Sequence, residues 1–152
     1  MGSRVVIILA IVITSAAVPQ SFSHANSAAA RTTEDGVYSA SQALQSKALY
    51  KQKCSACHLD DLSGSGESLP LAGSTFILLW KERTPYDLFD AIETTMPKEK
   101  PKSLSGPAVV DLIAYVLQNN GFPRGKHQLG DDPNALRNIE IVKEPSPTNR
   151  GK

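Results

Sequence analysis

Cysteine is nearly absent from this chain of 152 residues, where Cys54 and Cys57 are the whole inventory. A structural zinc site asks for four ligands. Beyond Cys54, Cys57 and His58, and setting aside His24 near the N-terminus, only His127 is a ready further soft donor, and it lies far away in a polar stretch. A thioredoxin-like C-x-x-C belongs beside a βαβ pattern, and the chain shows neither such a pattern nor a convincing strand. An excess of one charge is missing too: the formal net charge is +1. A chain so balanced lacks the basic footprint that a nucleic-acid partner requires. Aromatic residues make up only 6%, and there are no internal repeats. The longest apolar run, Val5 to Val18, is shorter than the roughly 17–25 residues that span a bilayer.

That short run has a use of its own. Arg4 gives a positive start, the apolar stretch comes next, and Ser23-His24-Ala25 supplies small residues at the −3 and −1 positions of a cleavage site. This order is that of a secretory signal peptide over residues 1–25, with an uncleaved anchor as the competing reading. No cysteine stands near the site to carry a lipid. Removing residues 1–25 leaves 127 residues with 15 bases facing 15 acids, enough for one domain around one core. A periplasmic location follows from this reading.

The two cysteines sit in Cys54-Ser55-Ala56-Cys57-His58, the C-x-x-C-H spacing of a c-type haem attachment site. Two thiols three residues apart can add to the two vinyl groups on one edge of a haem, and the next residue can bind the iron. On a helical backbone Cys54, Cys57 and His58 stand at i, i+3 and i+4 and share a face. Bacteria attach haem covalently outside the cytoplasmic membrane, so the motif and the export signal agree. A haem also supplies apolar bulk that a chain poor in aromatics lacks.

The remaining pattern is helical. Ser41 reads as a cap for a helix over Gln42 to Lys53, with Ala43, Ser46, Tyr50 and Cys54 along one stripe. Residues 59–75 hold Gly64, Gly66, Pro70 and Gly73 and read as loop. Thr84-Pro85-Tyr86-Asp87 opens another helix, with a capping Thr, Pro at the first position and Asp in the first turn. It turns Leu88, Phe89 and Ile92 inward and stops before Pro97. Ser105-Gly106-Pro107 opens a last helix with Val109, Leu112, Ile113, Val116 and Leu117 at helical period, closed by Asn119 to Pro123. Residues 26–39 read as a flexible leader. Residues 125–152 form a polar C-terminal tail in which Leu129, Leu136, Ile139, Ile141 and Val142 can strap onto the domain at 40–124, while the end beyond Glu144 reads as disordered.

With Met1 removed in the signal peptide, Met96 is the sole thioether of the mature chain. It stands 38 residues after His58, at a helix end, with Pro97 stiffening the loop beyond it. The bland reading of a lone Met is a core filler. Its place makes it the leading sixth ligand for an iron, ahead of His127 and of Lys98, Lys100 and Lys102.

Residues 40–123 resemble a class I cytochrome c. The resemblance is carried by C-x-x-C-H with the downstream Thr95-Met96-Pro97, by Leu71-Ala72-Gly73-Ser74-Thr75-Phe76, by Trp80 to Ile92, and by Ala114 to Pro123. More narrowly these segments are similar to small bacterial cytochromes c that accompany quinoprotein (PQQ) dehydrogenases. The resemblance implies an all-α fold of three to five helices around one covalent haem c held by Cys54 and Cys57. It implies His58 and Met96 as axial ligands, and a pocket drawn from Leu69, Pro70, Leu71, Phe76, Trp80, Phe89 and Ile92. A carbonyl should orient the His58 ring: counting from the histidine gives Pro70, counting from the Leu-x-Gly gives Leu69. First and last helices should cross with Tyr50 near Leu112 and Tyr115, at Ser46 where many relatives carry Gly. Trp80 either walls the pocket or reaches a haem propionate. Lys98, Lys100 and Lys102 are either a solvated face or a basic collar that steers an acidic redox partner.

The expected function is one-electron transport between a dehydrogenase and a respiratory acceptor, without catalysis of bond making or breaking. His/Met ligation favours ferrous iron and raises the potential. The alternatives are a permanent cytochrome subunit of a dehydrogenase or oxidase complex, and a haem-based gas sensor or peroxidase with an open iron.

Overall fold

Helix α1, Ala40–Lys53, begins two residues ahead of the start that a Ser41 cap implies. Ser39 is the cap instead: its backbone is extended and its Oγ accepts from the Gln42 N–H at 3.2 Å. Ser41 Oγ sits 3.1 Å from Ser39 Oγ, so two serines compete for one role and the earlier one holds it. The computed structural model describes residues 31–143 together with Gly2. The signal peptide expected over residues 1–25, the start of the leader and the end beyond Glu144 lie outside the described residues, Gly2 apart. Among the described residues no helix is long and apolar enough to cross a membrane.

Five further helices follow: α2 Ser55–His58, α3 Ser74–Trp80, α4 Pro85–Thr95, α5 Gly106–Asn119 and α6 Pro133–Arg137. Helix α4 carries the full N-terminal signature read from its sequence. Thr84 Oγ1 accepts from the Asp87 N–H at 3.2 Å, and the Asp87 carboxylate accepts from the Thr84 N–H at 2.8 Å. Ser105 caps α5 as expected, with Pro107 inside the first turn. Gly121, at φ 72°, takes the left-handed step that ends α5.

Helix α5 is the centre of the molecule. Val109, Val110, Leu112, Ile113, Ala114, Tyr115, Val116 and Leu117 are all buried, more than the single apolar stripe needs, and a helix covered nearly all round is a core element. Helix α1 packs mainly on it. The crossing lies where the sequence puts it, with the Tyr50 and Tyr115 ring centroids 4.9 Å apart. Ser46 fits there without glycine because its hydroxyl turns back and donates to the Gln42 carbonyl at 2.7 Å, which leaves no unsatisfied polar atom at the contact.

Residues 31–39 are not a flexible leader, and the chain is not wholly without strands. Strand β1, Arg31–Thr32, pairs in parallel with β2, Ile139–Glu140. Thr33 Oγ1 donates to the Val142 carbonyl at 3.0 Å and accepts from the Val142 N–H at 3.1 Å. Tyr38 is buried, and its hydroxyl donates to the Phe122 carbonyl at 2.7 Å. The C-terminal segment therefore forms the strap that its apolar residues allow: Leu129, Leu136, Ile139 and Ile141 join the same core as α5. Gln42 fastens it, its amide donating to Leu129 O at 3.0 Å and to Asp111 Oδ1 at 2.9 Å while accepting from Leu129 N–H at 2.9 Å. At the far end Arg137 lies over the Tyr86 ring at 3.5 Å and ties α6 to α4.

Candidate cofactor site

Cys54 closes α1 and at once begins α2, so both cysteines and His58 ride on one nearly continuous helical stretch. The Cys54 N–H donates to Tyr50 O at 2.8 Å, and the His58 N–H donates to Cys54 O at 2.9 Å. Leu59 leaves the helix at φ 61°, a conformation costly for a residue with a Cβ. The buried Tyr50 hydroxyl donates to the Leu59 carbonyl at 2.8 Å and holds that exit in place. Burial pushes the Tyr50 pKa well above its ordinary value, so the phenol stays a neutral donor. Burial likewise raises the Cys54 thiol to about 11, and neither cysteine is in a disulfide.

The loop after α2 folds back beneath it. The Gly64 N–H donates to His58 O at 3.1 Å, and Ser65 Oγ donates to Cys57 O at 3.0 Å. Gly64 has φ 73°, and a Cβ there would strike the Ser68 carbonyl. This tight return brings the Leu69 carbonyl to 2.9 Å from His58 Nδ1. A carbonyl oxygen can only accept, so Nδ1 carries the proton. In the neutral imidazole with that tautomer, Nε2 is the nitrogen that can bind a metal. Of the two residues offered by the spacing, Leu69 is the acceptor.

Cys54, Cys57, His58 and Met96 all line one cavity of about 450 Å³, within the roughly 300–1,000 Å³ typical of cofactor sites. Met96 caps the end of α4, its N–H donating to Ile92 O at 3.0 Å. Leu69, Pro70, Leu71, Trp80 and Ile92 line the cavity. Phe76 and Phe89 do not. Phe76 is buried behind Trp80, ring centroids 6.3 Å apart, and Phe89 stacks on Tyr86 at 6.4 Å. The reason on α4 is helical period: Leu88, Ala91, Ile92 and Thr95 share the cavity face, and Phe89, one residue on from Leu88, is turned about 100° away. Leu79, Leu88 and Leu104 complete the walls, with Leu112 and Val116 of α5. Segment likeness misses this set, although the i, i+4 stripes of α4 and α5 already point to part of it.

The charged rim is mixed. Lys53, Arg83 and Lys98 reach the cavity lining, and so do Glu67 and Glu99. Lys100 and Lys102 are exposed and lie off that lining. His127 lines a separate cavity of about 260 Å³ with Arg31 and Leu136, so the structure does not bring it to Met96 or His58. Among the described residues no three His, Cys, Asp or Glu side chains gather into a metal site of their own.

A mostly apolar slot fits a haem. The His58 imidazole, the Met96 thioether and two unpaired thiols three residues apart all line it. This is a c-type cytochrome domain, largely helical and built for covalent haem c. The family whose model describes cytochrome c oxidase, cbb3-type, subunit III, matches residues 41–116, and the chain belongs to that family. No curated protein matches the chain. Among solved structures it is similar to a chain of the sulfane dehydrogenase SoxCD from Paracoccus pantotrophus, at 18% identity and a TM-score of 0.49, covering 92% of this chain and 82% of that one. A likeness that distant says nothing of partners.

Proposed function

We propose that this c-type cytochrome is an exported one-electron carrier that runs between a dehydrogenase and a respiratory acceptor. In this reading Cys54 and Cys57 would hold the haem as thioethers, and His58 and Met96 would bind its iron. The observation that carries the reading is the His58 ring, its Nδ1 held by Leu69 O at 2.9 Å, in the cavity that Met96 also lines. Bound there, the haem supplies a single iron that takes and gives one electron. The chain supplies the rest: Leu69 sets the tautomer, the walls from α3, α4 and α5 exclude water, and Met96 fills the place an outside ligand would take. Export by residues 1–25 belongs to the same proposal and brings the chain to where haem is attached. Haem staining on a denaturing gel tests it: colour should stay with the protein band and vanish in the Cys54→Ala, Cys57→Ala double variant. A wild-type band without colour, matured by competent cells, rejects it.

A second reading has an observation of its own. Leu69, Leu78 and Leu79 are 59%, 72% and 40% exposed, and Leu69 and Leu79 stand on the cavity lining itself. Apolar side chains left bare beside a redox centre suit a lasting contact, as in a cytochrome subunit held on a dehydrogenase or oxidase. Native size measured on gently extracted material separates the two: a free carrier runs at its own mass, a subunit with its complex.

A further inference from the structure

Arg83 is the rim cation whose surroundings are most fully built. The chain leaves α3 by a tight turn in which the Arg83 N–H donates to Trp80 O at 3.2 Å. Glu82 sits at φ 64° within it. The turn folds the Arg83 guanidinium over the Trp80 ring, 5.4 Å from its centroid, and both residues line the cavity. The turn is gripped from outside by the C-terminal strap. The Ile141 N–H donates to Arg83 O at 2.7 Å, and the Glu82 N–H donates to Ile141 O at 3.0 Å. Ile141 is itself buried in the core, so a strap far downstream in the chain sets the backbone from which Arg83 reaches the cavity.

The chemistry of haem singles this cation out. Its vinyl and propionate groups lie on opposite edges of the macrocycle, so a partner for the carboxylates must come from an element other than the one bearing the cysteines. Lys53 immediately precedes Cys54, and Lys98 stands just beyond Met96 and Pro97. Arg83 belongs to neither segment. Its planar fork is the side chain suited to carboxylate pairing, and stacking on Trp80 pre-orders it.

Resting on the haem reading above, we propose that Arg83 is the cation facing the haem carboxylates and that the C-terminal strap, through Ile141, is its positioning device. A fixed positive charge beside the cofactor disfavours the ferric state, which carries one more positive charge than the ferrous. Losing it therefore lowers the reduction potential. The strap, remote from iron, then tunes electron transfer by where it holds one guanidinium.

The test is potentiometric titration of the haem-loaded full chain. Arg83→Gln lowers the equilibrium constant for reduction by about three- to tenfold, tenfold being about 59 mV for a one-electron couple, and Arg83→Lys recovers part of it. Ile141→Pro removes the N–H that grips Arg83 and shifts the potential in the same direction, with no further shift in the Arg83→Gln background. Where Ile141→Pro does not accumulate, Ile141→Ala loosens the same anchor and shows a smaller effect with the same dependence on Arg83. An unchanged potential in Arg83→Gln overturns the assignment of the cation. Additive shifts from Arg83→Gln and the Ile141 variant overturn the role of the strap. Haem staining of each variant keeps these outcomes apart from a failure of the haem reading, which would leave every band, wild type included, without colour.

Discussion

The Nδ1–H of His58 donates to the carbonyl of Leu69 at 2.9 Å, across a loop of the chain that turns back on itself. Everything between them serves that approach: the left-handed exit at Leu59, the reversal at Gly64 and the Leu71 N–H bond to Leu62 O at 2.8 Å. A backbone carbonyl cannot be deleted by mutation, but its position can be disturbed.

Gly64→Ala is the disturbing change. It meets a positive φ and the Ser68 carbonyl together, so the loop must shift and carry Leu69 with it. A weaker Nδ1–H bond makes the imidazole a poorer donor to iron. Ferric iron loses more from this than ferrous iron, so the midpoint potential should rise while covalent haem attachment persists. Potentiometry with haem staining checks both halves. A potential equal to that of wild type would show that the loop absorbs the methyl without moving Leu69.

Met96→Ala should open the sixth position. The expected results are loss of the near-infrared band of a thioether bound to ferric iron, a lower potential, and rapid carbon monoxide binding by the ferrous form. The wild-type protein should bind carbon monoxide slowly. Spectra unchanged by the substitution would assign the ligand elsewhere, and fast binding by wild type would favour a sensor or peroxidase.

How much of the fold and site is legible in the sequence depends on the range of each interaction. The caps at Thr84 and Ser105 and the stops at Met96 and Gly121 are written close to the ends of the elements they bound, and they stand where local chemistry puts them. The α1 and α5 crossing is legible through aromatic and small residues at helical spacing. Pairing across the whole chain is not legible. Arg31–Thr32 meets Ile139–Glu140 as strands of two residues each, too short to show alternation. Gln42 reads as a polar residue of a first turn, yet its amide makes three hydrogen bonds inside the fold. Size and segment likeness put Phe76 and Phe89 in the pocket; helical phase turns Phe89 away, whereas Phe76 shares the face of Trp80 and is buried against its ring instead.

The capping box of α4 sets a pH dependence. Bonds from the Thr84 N–H and hydroxyl hold the Asp87 carboxyl below its ordinary pKa, assisted by nearby Arg83 and Arg137. A depressed pKa means that the ionised form is favoured by folding. Its contribution is therefore fully present above the unfolded value of about 3.9 and is lost as pH falls through the folded value. Asp87→Asn should lower the thermal midpoint at neutral pH, and the two melting curves should converge in acid. Thr84→Ala should cost about 1 kcal/mol through the lost cap. A difference between Asp87→Asn and wild type that persists unchanged in acid would place the effect in packing instead.

Two features of the rim make opposite demands on a partner. Lys98 lies on the cavity lining, whereas Lys100 and Lys102 stand off it, and Glu67 and Glu99 share that lining. Beside this mixed charge stand the exposed Leu69, Leu78 and Leu79. A steering charge acts on the encounter rate, over a Debye length of about 8–10 Å near physiological salt. If docking is transient, Lys98→Glu should account for most of the slowing produced by reversing all three lysines, measured as the second-order rate of electron transfer with an acidic redox protein. Added salt should shrink the difference. If attachment is lasting and apolar, Leu78→Glu with Leu79→Glu should release the chain from its complex on native gels, and the lysine reversals should leave it bound. The leucine pair lies outside the elements that hold Cys54, Cys57, His58 and Met96, so haem attachment and the spectrum should survive in both variants. Loss of haem from the leucine variant would mean that Leu79 serves the pocket wall first and any partner second.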